Sequence, residues 1–204
     1  MDIILLIWFF AIYSLLGWII ETSLLFLRDH RFVDTGILKG PFCPLYGFVS
    51  IIIISLFSQF IDSNIFVFFI ISVVVATISE YLTSTILEFI FKIKFWNYSK
   101  FKFNIQGRIA PIVSIFWGIL CFVIMKYLHP QIFKMIFSLN YQTIIIGSVL
   151  IVIYFLTDST YTFITLFGLK KILPTLNDLS NNIQKINRKY LRFFKAFPNL
   201  KIKK

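Results

Sequence analysis

The stretch IFVFFIISVVVATISEYLTSTILEFIF, residues 65–91, contains no basic side chain and only two acidic ones. An α-helix rises about 1.5 Å per residue, so about 20 apolar residues cross the hydrocarbon core of a bilayer. This stretch is longer than that and apolar over nearly all of its length. It therefore predicts a membrane-spanning helix.

Four further apolar runs accompany it, and the composition is typical of a membrane protein. The chain has 204 residues, of which 58% are hydrophobic, and its mean hydropathy is +0.86, well outside the range of ordinary soluble domains. We expect an all-α, polytopic membrane domain over residues 1–169 and a basic amphipathic cytoplasmic tail over residues 170–204. The first helix is expected to stay in the mature protein, because the N-terminus lacks the basic region of a cleavable signal peptide. The five predicted membrane helices cover residues 3–27, 44–60, 65–91, 109–128 and 143–169.

The net charge is +11, and most of the basic residues lie on one side of the predicted bundle. Three follow the first helix, five follow the third and ten follow the fifth, whereas Lys126 and Lys134 lie on the other side. The positive-inside rule then places the N-terminus outside the cell membrane and the C-terminus in the cytoplasm. Because headgroup attraction explains the basic segments, we expect the lipid bilayer as a partner and no nucleic acid.

Four carboxylates lie within the apolar runs and are candidates for an interior site. Each would cost about 2.5–3.5 kcal/mol at the bilayer centre, so each should face protein or water. On the third helix, Thr77, Glu80, Ser84 and Glu88 share one face, because residues three and four apart lie above one another. Such faces predict either an interior substrate site or hydrogen bonds between helices without a substrate. The four carboxylates are Glu21, Glu80, Glu88 and Asp158.

Two motifs that contain glycine and proline, GPFCP at 40–44 and GRIAP at 107–111, precede predicted helices. In both, a glutamate lies 19 residues before the glycine and a proline lies four residues after it, so the two copies are offset by 67. This spacing predicts a parallel repeat that pairs helices 1 and 2 with helices 3 and 4, as found in some transporters. The matched residues are Glu21 and Glu88, Gly40 and Gly107, and Pro44 and Pro111.

Both motifs are expected to begin a membrane helix abruptly at the cytoplasmic face. Proline is tolerated in the first turn, glycine permits close backbone approach, and the first amides of a helix favour an anion. Arg108 is expected either to bind a phosphate or carboxylate at that level or to pair with Glu88 or Glu21.

Five short motifs, in this order and at these intervals, resemble the ABC-transporter permease family called type IV, which comprises small bacterial membrane proteins. The resemblance covers about residues 5–130 and implies a transporter subunit whose ATPase is a separate chain. One position differs, because Asn97 stands where the family favours an aspartate. The motifs are GWIIE at 17–21, GILKGPFCPLYGF at 36–48, EYLT at 80–83, WNYS at 96–99 and NIQGRI at 104–109.

The resemblance and the carboxylates together define the candidate residues. The candidate substrate-binding residues are Glu21, Glu80, Glu88, Asp158, Arg108, Trp18, Tyr46, Trp96, Tyr98 and Asn104. The candidate structural motif residues are Gly17, Gly40, Pro41, Pro44, Gly47 and Gly107.

Several common kinds of chemistry have no motif in this sequence. It contains no G-x-x-x-x-G-K-[ST] loop for ATP, no H-E-x-x-H and no G-x-S-x-G, so hydrolysis by those routes is not expected. Cys43 and Cys121 are the only cysteines, and they are not part of a pattern with the spacing of metal ligands. We therefore expect two free thiols, no metal and no cofactor.

Three functions are compatible with this sequence, which favours a protein that is not an enzyme. The first is a transporter subunit with an interior polar site. The second is a membrane-embedded enzyme or lipid-binding protein at the cytoplasmic headgroup level, in which Glu21, Glu80 and Glu88 could act as acid and base. The third is a membrane scaffold that recruits partners through its tail.

The tail carries apolar residues at alternating spacings of three and four, flanked by basic residues. This pattern predicts an amphipathic helix that lies in the membrane interface, pairs with its copy in a homodimer or docks a cytoplasmic partner. The apolar residues are Leu176, Leu179, Ile183, Ile186, Tyr190 and Phe193.

Overall fold

The computed structural model describes residues 2–60, 65–178, 188–197 and 201–202, and these are almost entirely helical. Two short strands, β1 (Ile93–Lys94) and β2 (Lys201–Ile202), pair antiparallel with Ile93 opposite Ile202. The helices are α1 (Ile3–Asp29), α2 (Pro44–Phe60), α3 (Ile65–Phe91), α4 (Pro111–Val123), α5 (His129–Phe137), α6 (Tyr141–Asp178) and α7 (Arg188–Ala196).

Four helical segments in the described ranges are long and apolar enough to cross a membrane. Helix α2 is 17 residues long, which corresponds to about 25 Å and lies at the lower limit for a spanning helix. The chain is therefore a multi-pass membrane protein, and the fifth span stays a prediction. The four segments are Ile3–Asp29, Phe66–Phe91, Pro111–Phe137 and Tyr141–Lys171.

The third of these segments consists of α4 and α5 joined by a π-helical turn, Ile124–Leu128. The expected helix ended at residue 128, before Pro130, whereas the observed helix continues to Phe137. At the junction the His129 amide donates to the carbonyl of Ile124, five residues earlier. Pro130 then lies in the first turn of α5, where its missing amide hydrogen is tolerated.

Close contact between α1 and α2 depends on two glycines. A Cβ atom on Gly17 would overlap the ring of Tyr46, and one on Gly47 would overlap the Ser14 hydroxyl and Phe10. Small residues at such positions let the backbones of membrane helices approach each other. Helix α1 also contacts α6, and α3 contacts α2, α4 and α6.

The loop over residues 30–43, the loop over residues 92–110 and the tail helix α7 meet at one end of the bundle. Strand β2 pairs with β1, and the ring of Phe197 packs on that of Phe95 with centroids 5.1 Å apart. An apolar core fills this end of the protein. Its buried members are Phe91, Ile93, Phe95, Leu166, Leu169, Tyr190 and Phe193.

The structure therefore places part of the tail differently from the sequence expectation. Tyr190 and Phe193 are buried within the chain, so these two residues do not form a lipid-facing or dimerising surface. Leu176 belongs to α6, which extends past the expected end at residue 169 because polar residues can continue a helix beyond the hydrocarbon core. Leu179, Ile183 and Ile186 lie outside the described residues.

Candidate functional site

The loop over residues 30–43 folds back against α1 through polar side chains. The indole of Trp18 donates to the carboxylate of Asp34 at 2.9 Å, and the hydroxyls of Thr22 and Thr35 lie 2.7 Å apart. The amide of Cys43 donates to the carbonyl of Ser14 at 2.9 Å. These bonds fix the approach to α2, which begins at Pro44.

Glu21 lies beside the end of this loop. The Cys43 thiol donates to its carboxylate, with 3.3 Å between Sγ and Oε2. Burial, followed by the negative charge of Glu21, raises the pKa of the Cys43 thiol far above its ordinary value. The thiol therefore stays protonated and serves as a hydrogen-bond donor.

Asp158 binds the backbone of the loop that precedes α2. Its two carboxylate oxygens accept the backbone amides of Lys39 and Gly40, at 3.0 and 2.9 Å. The hydroxyls of Tyr154 and Thr162 also donate to it, at 3.3 and 3.4 Å. Because an internal carboxylate already satisfies these amides, the GPFCP motif is held by the protein itself. Pro41 is exposed beside it.

The loop over residues 92–110 is a compact turn built around Gly107. Its φ of +66° is left-handed, and a Cβ atom there would overlap the side chain of Asn97, so glycine is required. Asn104 accepts the Gly107 amide at 2.9 Å, and the amide of Tyr98 donates to the Gly107 carbonyl at 2.8 Å. The indole of Trp96 donates to the carbonyl of Arg108 at 3.0 Å.

Arg108 forms a buried ion pair with Glu88. The distance between Nη2 and Oε2 is 2.7 Å, and the two side chains are 10% and 8% exposed. Of the two alternatives drawn from the sequence, the structure thus contains the internal pair. The guanidinium of Arg108 balances the charge of Glu88, and a buried ion is destabilising without such a partner.

Glu80 has a different environment from Glu88, two helical turns away. The hydroxyl of Tyr98 donates to Oε1 at 2.9 Å, but the buried Oε2 has no hydrogen-bond partner within the described ranges. The pKa of Tyr98 is raised mainly by burial. The charge of Glu80, the hydrogen bond from Tyr98 to Glu80 and the charge of Glu21 raise it further. Tyr98 is therefore a neutral donor that lies within electrostatic range of Glu80 and Glu21.

These contacts define an acidic–aromatic cluster at the junction of α1, α2, α3 and the two loops. Tyr46 lies within electrostatic range of the other four members, and its ring packs on that of Trp117 with centroids 5.2 Å apart. A buried cluster with two carboxylates and neutral donors can hold a proton or a small cation. The members are Glu21, Cys43, Tyr46, Glu80 and Tyr98.

The structure brings only some of the candidate residues together. Glu21, Tyr46, Glu80 and Tyr98 belong to the cluster, whereas Asp158 lies apart from it as the anchor of the first loop. The remaining candidates have supporting positions: Glu88 and Arg108 pair with each other, Trp18 holds the first loop, and Trp96 and Asn104 hold the second.

Two features of the site were not anticipated from the sequence. Cys43 is a free thiol, as expected, but its hydrogen bond to Glu21 was not anticipated, and its place within the GPFCP motif was the one signal for that contact. Arg192 of α7 pairs with Asp34 at 2.9 Å and donates to the carbonyls of Gly36 and Leu38, which no local pattern indicates. Within the described ranges, no group of three or more His, Cys, Asp or Glu residues could hold a metal ion.

Residues 8–163 match the model of a family described as "Putative ABC-transporter type IV". The chain belongs to this family. The match confirms the resemblance found in the motifs and extends it from about residue 130 to residue 163, which includes Asp158, while α7 lies beyond it. As a type IV family member, the chain is an ABC-transporter-related membrane protein. Comparison with curated proteins and with solved structures found no match.

Proposed function

We propose that this protein is the permease subunit of a transporter in the cell membrane, energised by an ATP-binding chain encoded separately. The acidic–aromatic cluster carries the proposal, because Glu80 keeps one buried carboxylate oxygen without a partner in the described part of the chain. Carboxylates inside a membrane bundle are costly and mark substrate or ion pathways. The family membership supports the same conclusion.

The proposal includes five membrane spans with the N-terminus outside. The two loops and α7 lie at one end of the bundle, so α1 and α3 both end there. Helix α2 follows α1 and precedes α3, so it must carry the chain from this end of the bundle to the opposite end. Its 17 residues are sufficient for that distance. The same end carries most of the basic residues, which supports a cytoplasmic location for it.

Because the sequence has no phosphate-binding loop, we assign ATP hydrolysis in the proposed transporter to a separate chain. The parallel repeat is also part of the proposal, since in each half a glutamate on the first helix contacts a residue close to the glycine of the following motif. These contacts are Glu21 with Cys43 and Glu88 with Arg108. A homodimer through Tyr190 and Phe193 is not included, because both are buried within the chain.

Purification of the full-length chain from its native membranes tests the proposal. We expect an ATP-binding protein to co-purify in fixed stoichiometry and to hydrolyse ATP in the complex. Absence of such a chain, together with a bound or chemically altered phospholipid, would contradict the permease function and favour a lipid-binding protein or lipid enzyme. For substitutions of the buried carboxylates, Asp29→Asn is a suitable control variant, because Asp29 is exposed and pairs only with its neighbour Arg28 among the described residues.

A further inference from the structure

We infer that the acidic–aromatic cluster is a proton-binding site, in which Glu21 and Glu80 together hold one exchangeable proton on Oε2 of Glu80. The inference rests on the proposed function, because it names the ligand of the same interior site. On binding, a proton from water forms an O–H bond with the carboxylate, and on release it returns to water.

The two carboxylate oxygens of Glu80 have different environments. Oε1 accepts the hydroxyl of Tyr98 at 2.9 Å, whereas Oε2 is buried and has no partner among the residues described. An ionised carboxylate with one unsatisfied buried oxygen is much more costly than a neutral acid in the same place. A proton on Oε2 removes that charge and leaves the bond from Tyr98 intact.

The charge of Glu21 lies close enough to act on both Glu80 and Tyr98. Two carboxylates that share a buried site cannot both ionise without mutual repulsion, so one proton is retained. Arg108, the basic residue of the GRIAP motif, does not balance this charge, because it is already bound by Glu88 at 2.7 Å.

The remaining titratable groups around Glu80 are neutral donors or are already balanced. The cluster contributes no cation, and its tyrosines and thiol can donate but not neutralise a charge. Besides the Glu21 carboxylate from α1, these groups are Cys43 from the first loop, Tyr46 from α2, Tyr98 from the second loop, and Glu88 with Arg108 along α3 and its following loop.

A proton fits this site better than a metal ion does. No set of three His, Cys, Asp or Glu ligands exists in the described ranges, and a divalent cation normally needs more ligands than two carboxylates supply. A proton needs only one oxygen. Intramembrane carboxylates serve as proton relays in pumps and transporters.

Infrared difference spectroscopy of the full-length protein in lipid vesicles tests the inference directly. As the pH rises, we expect loss of the carbonyl band of one protonated carboxylic acid. This signal should vanish in Glu80→Gln but persist in Asp29→Asn, which replaces an exposed carboxylate that pairs with Arg28 at 2.7 Å. A wild-type protein without the signal, or a signal that survives Glu80→Gln, would overturn the inference.

Tyr98→Phe gives a second readout that does not depend on Glu80→Gln being well folded. Removal of the Tyr98 hydroxyl takes away a hydrogen bond that favours ionised Glu80, so the band should be lost at a higher pH than in the wild type. An unchanged or lower midpoint would contradict the site. The spectra require no transport, so a proton signal without a co-purifying ATPase would refute the permease proposal and leave the proton site standing.

Discussion

Asp158, near the middle of α6, accepts a hydrogen bond from the backbone amide of Gly40 at 2.9 Å, although 118 residues separate them. The Lys39 amide donates to the other carboxylate oxygen at 3.0 Å. The loop that starts α2 is thereby attached to the helix that the sequence predicts as the last membrane span.

Replacement of this carboxylate should loosen the loop. In Asp158→Asn one of the two amides faces an NH₂ group instead of an oxygen, and we expect a loss of about 1.5–3 kcal/mol in the free energy of unfolding. Hydrogen exchange over residues 36–43 should also accelerate. Thr157→Val, at an exposed position on the same helix, should leave both measurements nearly unchanged. Equal effects of the two substitutions would contradict the anchoring role.

The buried pair between Arg108 and Glu88 should be essential for stability when broken on one side. Arg108→Ala leaves Glu88 buried without its counter-charge, which costs about 3–5 kcal/mol. Replacement of both residues by leucine should recover most of this loss in thermal unfolding of the purified protein. Lys102→Ala, which removes an exposed cation from the same loop, is the control. A double variant no more stable than Arg108→Ala would show that the pair is not the cause.

Asn97 should tolerate the aspartate that the family favours at its position. Its Oδ1 accepts the amide of Ser99 at 3.1 Å and the Ser99 hydroxyl at 2.6 Å, and a carboxylate can accept both bonds. We expect Asn97→Asp to change the unfolding free energy by less than about 0.5 kcal/mol, and Asn97→Ala to lower it by about 0.5–1.5 kcal/mol. A destabilising aspartate would mean that the amide nitrogen has a role of its own.

Cys43 should react slowly with alkylating reagents. Because burial and the charge of Glu21 raise the pKa of the Cys43 thiol, little thiolate exists at pH 8, and the thiolate is the reactive form. In a Cys121→Ser background, iodoacetamide should label the folded protein far more slowly than the unfolded one. Glu21→Gln removes the neighbouring charge and should increase the rate. Equal labelling rates for the folded and unfolded protein would contradict this environment.

The helices were largely predictable, because apolar length decides where a chain crosses a bilayer. Helices α2 and α3 begin and end at the residues expected from the sequence. The expected end at residue 128 was wrong, because nothing in the sequence indicates the π-turn after which the helix continues through Pro130 to Phe137. That turn precedes His129, whose ring is buried. Its Nδ1 forms a hydrogen bond with the Tyr13 hydroxyl at 2.9 Å.

The site was predictable in its residue types but not in its pairings. The cost of burying carboxylates singled out Glu21, Glu80, Glu88 and Asp158, yet it cannot tell which partner each one meets. Those partners come from distant segments, as with Asp158 and the first loop, or from groups with weak local signals, such as the Cys43 thiol. The unsatisfied oxygen of Glu80 could be recognised only from three-dimensional packing.

The ATPase rate of the complex purified from native membranes, compared between wild type and Glu80→Gln, tests the central claim most directly. We expect the variant to assemble with the ATP-binding chain but to hydrolyse ATP at a rate clearly different from that of the wild-type complex, because it lacks the carboxylate of the interior site. Asp29→Asn should behave as the wild type. An assembled Glu80→Gln complex with an unchanged rate would contradict a functional role for the acidic–aromatic cluster.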